Sequence, residues 1–250
     1  MTQSLMQPER WQQLSAQAQQ QRLTRPTMAT SAAVKSSVTD ILAAVRQQGT
    51  DAVSRFSQQF DSNVGNNLLL SKQQRDELAA NIEPKVKQAV DTAYQTIRRF
   101  HQAQQPQDNE VETAPGVVCQ SRYLPLQAVG LYIPGGSASL PSTALMLGVP
   151  AQLAGCKRKV LATPAAANGL ITATIAYIAQ LCEIDEVLVC GGAQAIGALA
   201  FGIQGLAPVD KIFGPGNAYV TEAKQQSVKV LLRWLSTCQQ PIRAASSCGR

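Results

Sequence analysis

The chain has 250 residues, 45% of them hydrophobic, which is enough to bury one large core or two small ones. The formal net charge is +6, but residues 223–250 hold five basic side chains and no acidic one, which leaves 17 basic and 16 acidic residues in positions 1–222. This nearly neutral body argues against nucleic-acid binding, and no apolar run is long enough to span a membrane.

The cysteine and histidine content argues against a metal site built from these residue types alone. The six cysteines are far apart, no Cys-x-x-Cys occurs, and the chain has one histidine, His101. A zinc knuckle is therefore excluded by the number of ligands, and reduced thiols are expected. The first residues, MTQSLMQPERW, lack the basic segment and apolar core of a signal peptide, so the sequence predicts a cytoplasmic protein.

Residues 1–126 are predicted to form a mainly helical N-terminal region. Apolar residues recur at helical spacing before Gly49, namely Val38, Ile41, Leu42 and Val45. Asp51 is predicted to cap the next helix, Ser71 and Gln74 form a capping-box pattern, and Pro84 suits the first turn of a further helix. These apolar faces indicate a packed core and carry no cofactor signature.

The end of this region contains the histidine and a predicted boundary. His101 lies in RRFHQAQQP, and no Cys, Asp or Glu adjoins it in sequence, which favours packing or capping over catalysis. The segment from Gln105 to Gly116 is rich in Pro, Asp and Asn. It is predicted to be a loop that separates the helical region from the next domain.

Residues 127–226 are predicted to form a continuous α/β lobe around a parallel sheet. Four apolar runs occur here: VGLYI, KVLAT, EVLVC and KIF. Each ends in a Gly, Pro or small-residue loop and then passes into a helix-compatible stretch, which is typical of repeated βα units. The loops therefore fall at the carboxyl ends of the strands, where open parallel sheets place nucleotide and substrate sites.

The loops contain groups that could contact a ligand. Gly135 and Gly136 allow close backbone approach near a helix start, although a tight βα turn without a ligand fits them equally well. The glycines of GGAQAIGALAFG do not fit the G-x-G-x-x-G dinucleotide pattern. In FGPGNAYVTEAK, a sharp turn is followed by Asn217, whose amide lies at a helix entrance.

Together these stretches resemble the histidinol dehydrogenase family. The resemblance is carried by VGLYIPGGSASLPSTALMLGVPAQLAGC, GGAQAIGALAFG and VDKIFGPGNAYVTEAK, with VTDILAAVRQQGTDAVSRFSQQFD agreeing upstream, and it covers roughly residues 30–226. It implies a Rossmann-like lobe of aldehyde-dehydrogenase-like fold, with residues 1–126 including the first part of an incomplete α/β domain. It also implies an NAD-dependent, zinc-containing cytoplasmic homodimer that oxidises L-histidinol to L-histidine through L-histidinaldehyde.

The resemblance further implies three NAD-binding residues. By motif they are Tyr132 in GLYIPGG, Gln194 in GGAQAI and Asn217 in GPGNA. All three follow strand ends, so they are expected to converge on one crevice. An alternative for Gln194 is that it merely caps its helix.

The downstream part of the chain departs from the family. The family's zinc ligands, a Gln, two His and an Asp, and its Glu-His acid-base pair lie beyond the GPGN segment, so no catalytic residue and no metal ligand is assigned in this chain. Residues 227–250 also lack the family's A-I-D-M-P-A-G-P-S-E stretch, whose Ser contacts substrate. We expect a truncated chain with an aberrant tail, because a shifted reading frame of SVKVLLRWLSTCQQPIRAASSCGR can encode a similar continuation. An amphipathic closing helix at VKVLLRWL is the alternative.

Three functional interpretations follow. The first is a histidinol dehydrogenase represented by its N-terminal part, and the second is a non-catalytic nucleotide-binding α/β fragment or pseudogene product. The third is an aldehyde-oxidising relative with a cysteine nucleophile. It is disfavoured because no cysteine lies in a loop beside a base, and Cys190 is predicted to lie in a strand.

Overall fold

A computed structural model describes residues 10–23, 32–61, 67–135, 140–166 and 169–237, with side chains up to residue 227. The chain divides into two compact units, Met1–Ser31 and Ala32–Arg250. The first contains a 3-10 helix, Trp11–Gln13, and helix α1, Ala16–Leu23, neither of which has a buried residue. None of the helices in the described residues is both long and apolar enough to cross a membrane.

A five-stranded, mainly parallel sheet organises the second unit. Its strands, in spatial order, are β1 (Leu69–Leu70), β6 (Glu186–Val189), β5 (Arg158–Thr163), β4 (Ala128–Tyr132) and β7 (Lys211–Phe213). Strands β4 to β7 are the four apolar runs of the sequence and pair in parallel, which confirms the predicted α/β class. The short β1 adds an antiparallel edge that the sequence analysis missed.

Helices cover both faces of this sheet. They are α2 (Ala32–Gln48), α3 (Thr50–Phe60), α4 (Lys72–Ala80), α5 (Pro84–Ala103), α6 (Pro141–Leu153), α7 (Ala173–Leu181), α8 (Gly192–Phe201) and α9 (Ala218–Thr237). One core lies against α2, α3, α8 and α9, and the other against α4 to α7. Strands buried on both faces are near-continuous apolar runs, as in a parallel sheet covered on both sides.

Most local features of the helical region agree with the sequence. The capping box of Ser71 and Gln74 is present at α4, and Pro84 is the first residue of α5. The prediction for Asp51 was wrong: Gly49, with φ of 57°, holds the cap position of α3, and Asp51 lies in the first turn. A glycine can take this left-handed conformation at little cost, so no capping side chain is needed there.

The predicted loop at Gln105 to Gly116 was wrong in part, because it contains a strand. Strands β2 (Asn109–Ala114) and β3 (Val117–Ser121) form an antiparallel hairpin around Gly116. Every residue of both strands is exposed. The run EVET does alternate, but it contains a single valine and neither strand has a buried face, so the pattern is too short to predict a strand.

Deletion of residues 228–250 is expected to leave the thermal unfolding midpoint unchanged or higher. Helix α9 continues to Thr237, but its described core contacts come from Val220, Ala223 and Ser227, which the deletion retains. Thermal unfolding followed by circular dichroism checks this, with deletion of residues 218–250 as the destabilised control. A loss of cooperative unfolding when residues 228–250 are deleted would contradict the prediction that the tail is aberrant. That prediction is not tested by the structure, since residues 238–250 lie outside the described residues.

Candidate functional site

A cavity of about 660 Å³ lies at the carboxyl ends of the parallel strands. Tyr132 ends β4, Pro164 follows β5, Gly192 follows β6 and Asn217 follows β7, and all four line this cavity together with Gln194. The structure therefore brings the three predicted residues together. The volume is within the range of roughly 300–1,000 Å³ that small-molecule sites occupy.

Tyr132 contributes a neutral phenol to the cavity. Its side chain is 3% exposed, and its Oη accepts a hydrogen bond from the Gly192 N–H at 3.1 Å. Burial raises the pKa of Tyr132 to about 12, so the hydroxyl stays protonated at neutral pH. It can therefore donate one hydrogen bond to a ligand while it accepts another from the backbone.

Gln194 has a buried amide nitrogen without a partner. The residue is 1% exposed, and its Nε2 has no hydrogen bond within the described part of the chain. Gly192 has φ of 66°, which residues with a side chain rarely adopt, and a Cβ there would lie 2.6 Å from Oε1 of Gln194, so the amide would have to move. A buried donor without an acceptor costs about 1–3 kcal/mol, which a ligand acceptor would recover. No hydrogen bond of the described residues supports the capping alternative.

Asn217 is held at the start of α9 by its own cap. Its Oδ1 accepts from the Val220 N–H at 3.1 Å, which leaves the amide nitrogen as a donor on the cavity side of the loop. The preceding Gly214 has φ of 122° and packs directly on the backbone of Tyr132. Lys224 donates to the Gly214 carbonyl, and its ammonium lies 6.0 Å from the Tyr132 ring centroid. Burial lowers the pKa of Lys224.

Asp61 also lines this cavity, and it was not predicted from the sequence. It follows α3, and its Oδ2 accepts from the Gly191 N–H at 3.1 Å. Burial raises the pKa of this carboxyl, and the hydrogen bond from Gly191 opposes that rise. The only signal in the sequence is its place at the end of SRFSQQFD, in the segment that supported the family resemblance.

The remaining candidate groups lie elsewhere. Cys190 is 1% exposed, its Sγ lies 3.2 Å from Oγ of Ser57, and burial raises its pKa to about 12, which argues against a cysteine nucleophile. His101 borders a separate cavity of about 790 Å³ and packs edge-on against Phe100. Among the described residues, no three His, Cys, Asp or Glu side chains come together as a metal site.

Comparison with known proteins gives a consistent result. A family model for histidinol dehydrogenase matches residues 23–231. A histidinol dehydrogenase from Idiomarina loihiensis is 55% identical over 218 residues, covering 87% of this chain and 49% of that protein. One from Vibrio cholerae serotype O1 is 49% identical over 216 residues, covering 86% and 49% of the two chains.

A solved structure agrees with the sequence comparisons. The crystal structure of histidinol dehydrogenase from Elizabethkingia anophelis superposes with a TM-score of 0.74 at 39% identity, covering 78% of this chain and 45% of that chain. The chain thus spans about half the length of the curated relatives it matches. With a family match over most of its length and a shared fold, the chain belongs to the histidinol dehydrogenase family.

Proposed function

We propose that this chain forms the dinucleotide-binding half of an NAD-dependent oxidoreductase that converts L-histidinol to L-histidine through L-histidinaldehyde. The observation that carries the proposal is the convergence of Tyr132, Gln194 and Asn217, from three separate βα loops, on one cavity. The family assignment supports the substrate. A cytoplasmic location and a homodimeric assembly, both expected for the family, belong to the same proposal.

The residues fit a dinucleotide by their hydrogen-bonding capacity. When bound, NAD supplies the hydride acceptor for the oxidation. The unpartnered Nε2 of Gln194 donates to a carbonyl or ring nitrogen of the cofactor, and the neutral Tyr132 hydroxyl and the Asn217 amide orient it. Their placement on three different loops holds the cofactor across the carboxyl edge of the sheet.

The described residues do not fit zinc. They contain no cluster of three candidate ligands, and the single histidine borders the other cavity. We propose that zinc binding and acid-base catalysis require sequence that these 250 residues do not contain. The alternative function is a nucleotide-binding fragment without catalytic activity. It differs from the proposed function only in that no further sequence supplies the zinc ligands and the acid-base groups.

Replacement of Asn217 is expected to weaken NAD binding. Loss of the amide removes hydrogen bonds worth about 0.5–1.5 kcal/mol each, so the Kd should rise about two- to tenfold in Asn217→Ala. Because Asn217 also caps α9, Asn217→Ser is the matched control, since serine retains capping ability. Calorimetry should show the same weakening in both variants, with a lower melting temperature in Asn217→Ala alone. Unchanged affinity in Asn217→Ser would remove this amide from the site.

A further inference from the structure

We propose that Asp61 makes this cavity selective for a dinucleotide with an unphosphorylated ribose, NAD, over one that carries an additional ribose phosphate, NADP. The inference rests on the proposed NAD site and assigns to it a specificity residue from outside the α/β lobe. Asp61 follows α3, and its carboxylate reaches the turn between β6 and α8, where it lines the same cavity as Tyr132 and Gln194.

The start of α8 is unfavourable for a phosphate group. In dinucleotide-binding turns, free N–H groups at a helix start bind the pyrophosphate. Here the Gly191 N–H donates to Asp61 Oδ2 and the Gly192 N–H donates to Tyr132 Oη, each at 3.1 Å. Both donors are therefore already satisfied by the protein. A phosphate beside Asp61 would find both donors occupied and would face a carboxylate, so the phosphates of a bound dinucleotide are expected elsewhere in the cavity, with a ribose beside Asp61.

The Asp61 carboxylate keeps the capacity to accept a further hydrogen bond. Among the described residues, Asp61 accepts one hydrogen bond, at Oδ2, and no Lys or Arg forms an ion pair with it. Its Oδ1 remains available to accept from a neutral donor such as a ribose hydroxyl. A carboxylate accepts hydroxyl hydrogen bonds well, whereas a phosphate brings like charge.

Lys224 carries the positive charge that lies near the Tyr132 ring. Lys224 approaches the Tyr132 ring from the β7–α9 side and donates to the Gly214 carbonyl, so it does not neutralise Asp61. Asp61 is the only carboxylate that lines the cavity among the described residues, and no Lys or Arg lines it. This arrangement of charge favours a ribose beside Asp61 and disfavours an added phosphate there.

The test is a titration of the full 250-residue chain with NAD and with NADP by calorimetry. The unaltered chain should bind NAD about tenfold or more tightly than NADP, because the Asp61 carboxylate repels an added phosphate. In Asp61→Asn the preference should fall by about tenfold, since asparagine removes the charge but can still accept from the Gly191 N–H. Asp51→Asn, which removes the same charge from an exposed position on α3, should keep the original preference.

Two further measurements keep the inference separate from the proposed function. If Asp61→Asn keeps the original preference while Tyr132→Ala abolishes NAD binding, the site is correct and the role of Asp61 is wrong. If Tyr132→Ala binds NAD as the unaltered chain does, the proposed site itself is wrong. If Asp61→Asn does not fold, the test is the ratio of NAD affinity to NADP affinity of the unaltered chain at rising salt concentration. Salt screens the repulsion between Asp61 and the added phosphate, so this ratio should fall, and an unchanged or higher ratio would overturn the inference.

Discussion

The purified 250-residue chain will not oxidise L-histidinol at any pH and will not retain stoichiometric zinc. A catalytic zinc site needs about three protein ligands and an open position. The chain has one histidine, which borders a cavity separate from the candidate site, and the described residues contain no cluster of three candidate ligands. Oxidation of an alcohol also requires a group that accepts its proton, and no Glu-His pair lines the candidate site.

Because no turnover at all is expected, the rate measured with the chain must be compared with the rate measured without enzyme-bound metal. NADH formation from L-histidinol, measured by absorbance, should equal that of a metal-free blank, and elemental analysis should find no bound zinc. The histidinol dehydrogenase of Idiomarina loihiensis, which is about twice as long, is the positive control. Turnover above the blank would show that the catalytic group lies within these 250 residues and that the ligand count is wrong.

Gly214→Ala is expected to lower the free energy of unfolding by about 3 kcal/mol or more and to abolish NAD binding. Two effects combine at this position. The backbone has φ of 122°, which residues with a side chain rarely adopt, and a Cβ would overlap the carbonyl oxygen of Tyr132. Because that oxygen belongs to the backbone of β4, it cannot move without disturbing the sheet and the adjacent phenol.

Urea unfolding of the variant measures this loss, and Gly116→Ala separates its two causes. Gly116 also has a positive φ, 75°, but a Cβ there would meet no atom within 4 Å. Its substitution should therefore cost only the conformational strain, about 1–2 kcal/mol. Equal losses in the two variants would mean that the β7–α9 turn relaxes away from Tyr132 and that overlap contributes little.

Local chemistry accounts for the parts of the fold that were predicted correctly. The runs VGLYI, KVLAT, EVLVC and KIF became β4 to β7 because continuous apolar strands are stable only when helices bury both faces. Ser71 and Gln74 formed their capping box because the two groups lie within one helical turn. The hairpin of β2 and β3 escaped prediction because its exposed strands bury no side chain.

The same distinction applies to the candidate site. The family resemblance implied Tyr132, Gln194 and Asn217, and because each follows a strand end, the parallel sheet brings all three to one cavity. Their part in NAD binding stays a prediction. Asp61 was not predicted from the sequence, because its hydrogen bond to Gly191 joins residues that are 130 positions apart in the chain. The missing partner of the Gln194 amide likewise depends on burial by distant helices, since an exposed amide would bind water. Contacts of this kind arise from packing between elements, and no local pattern of residues encodes them.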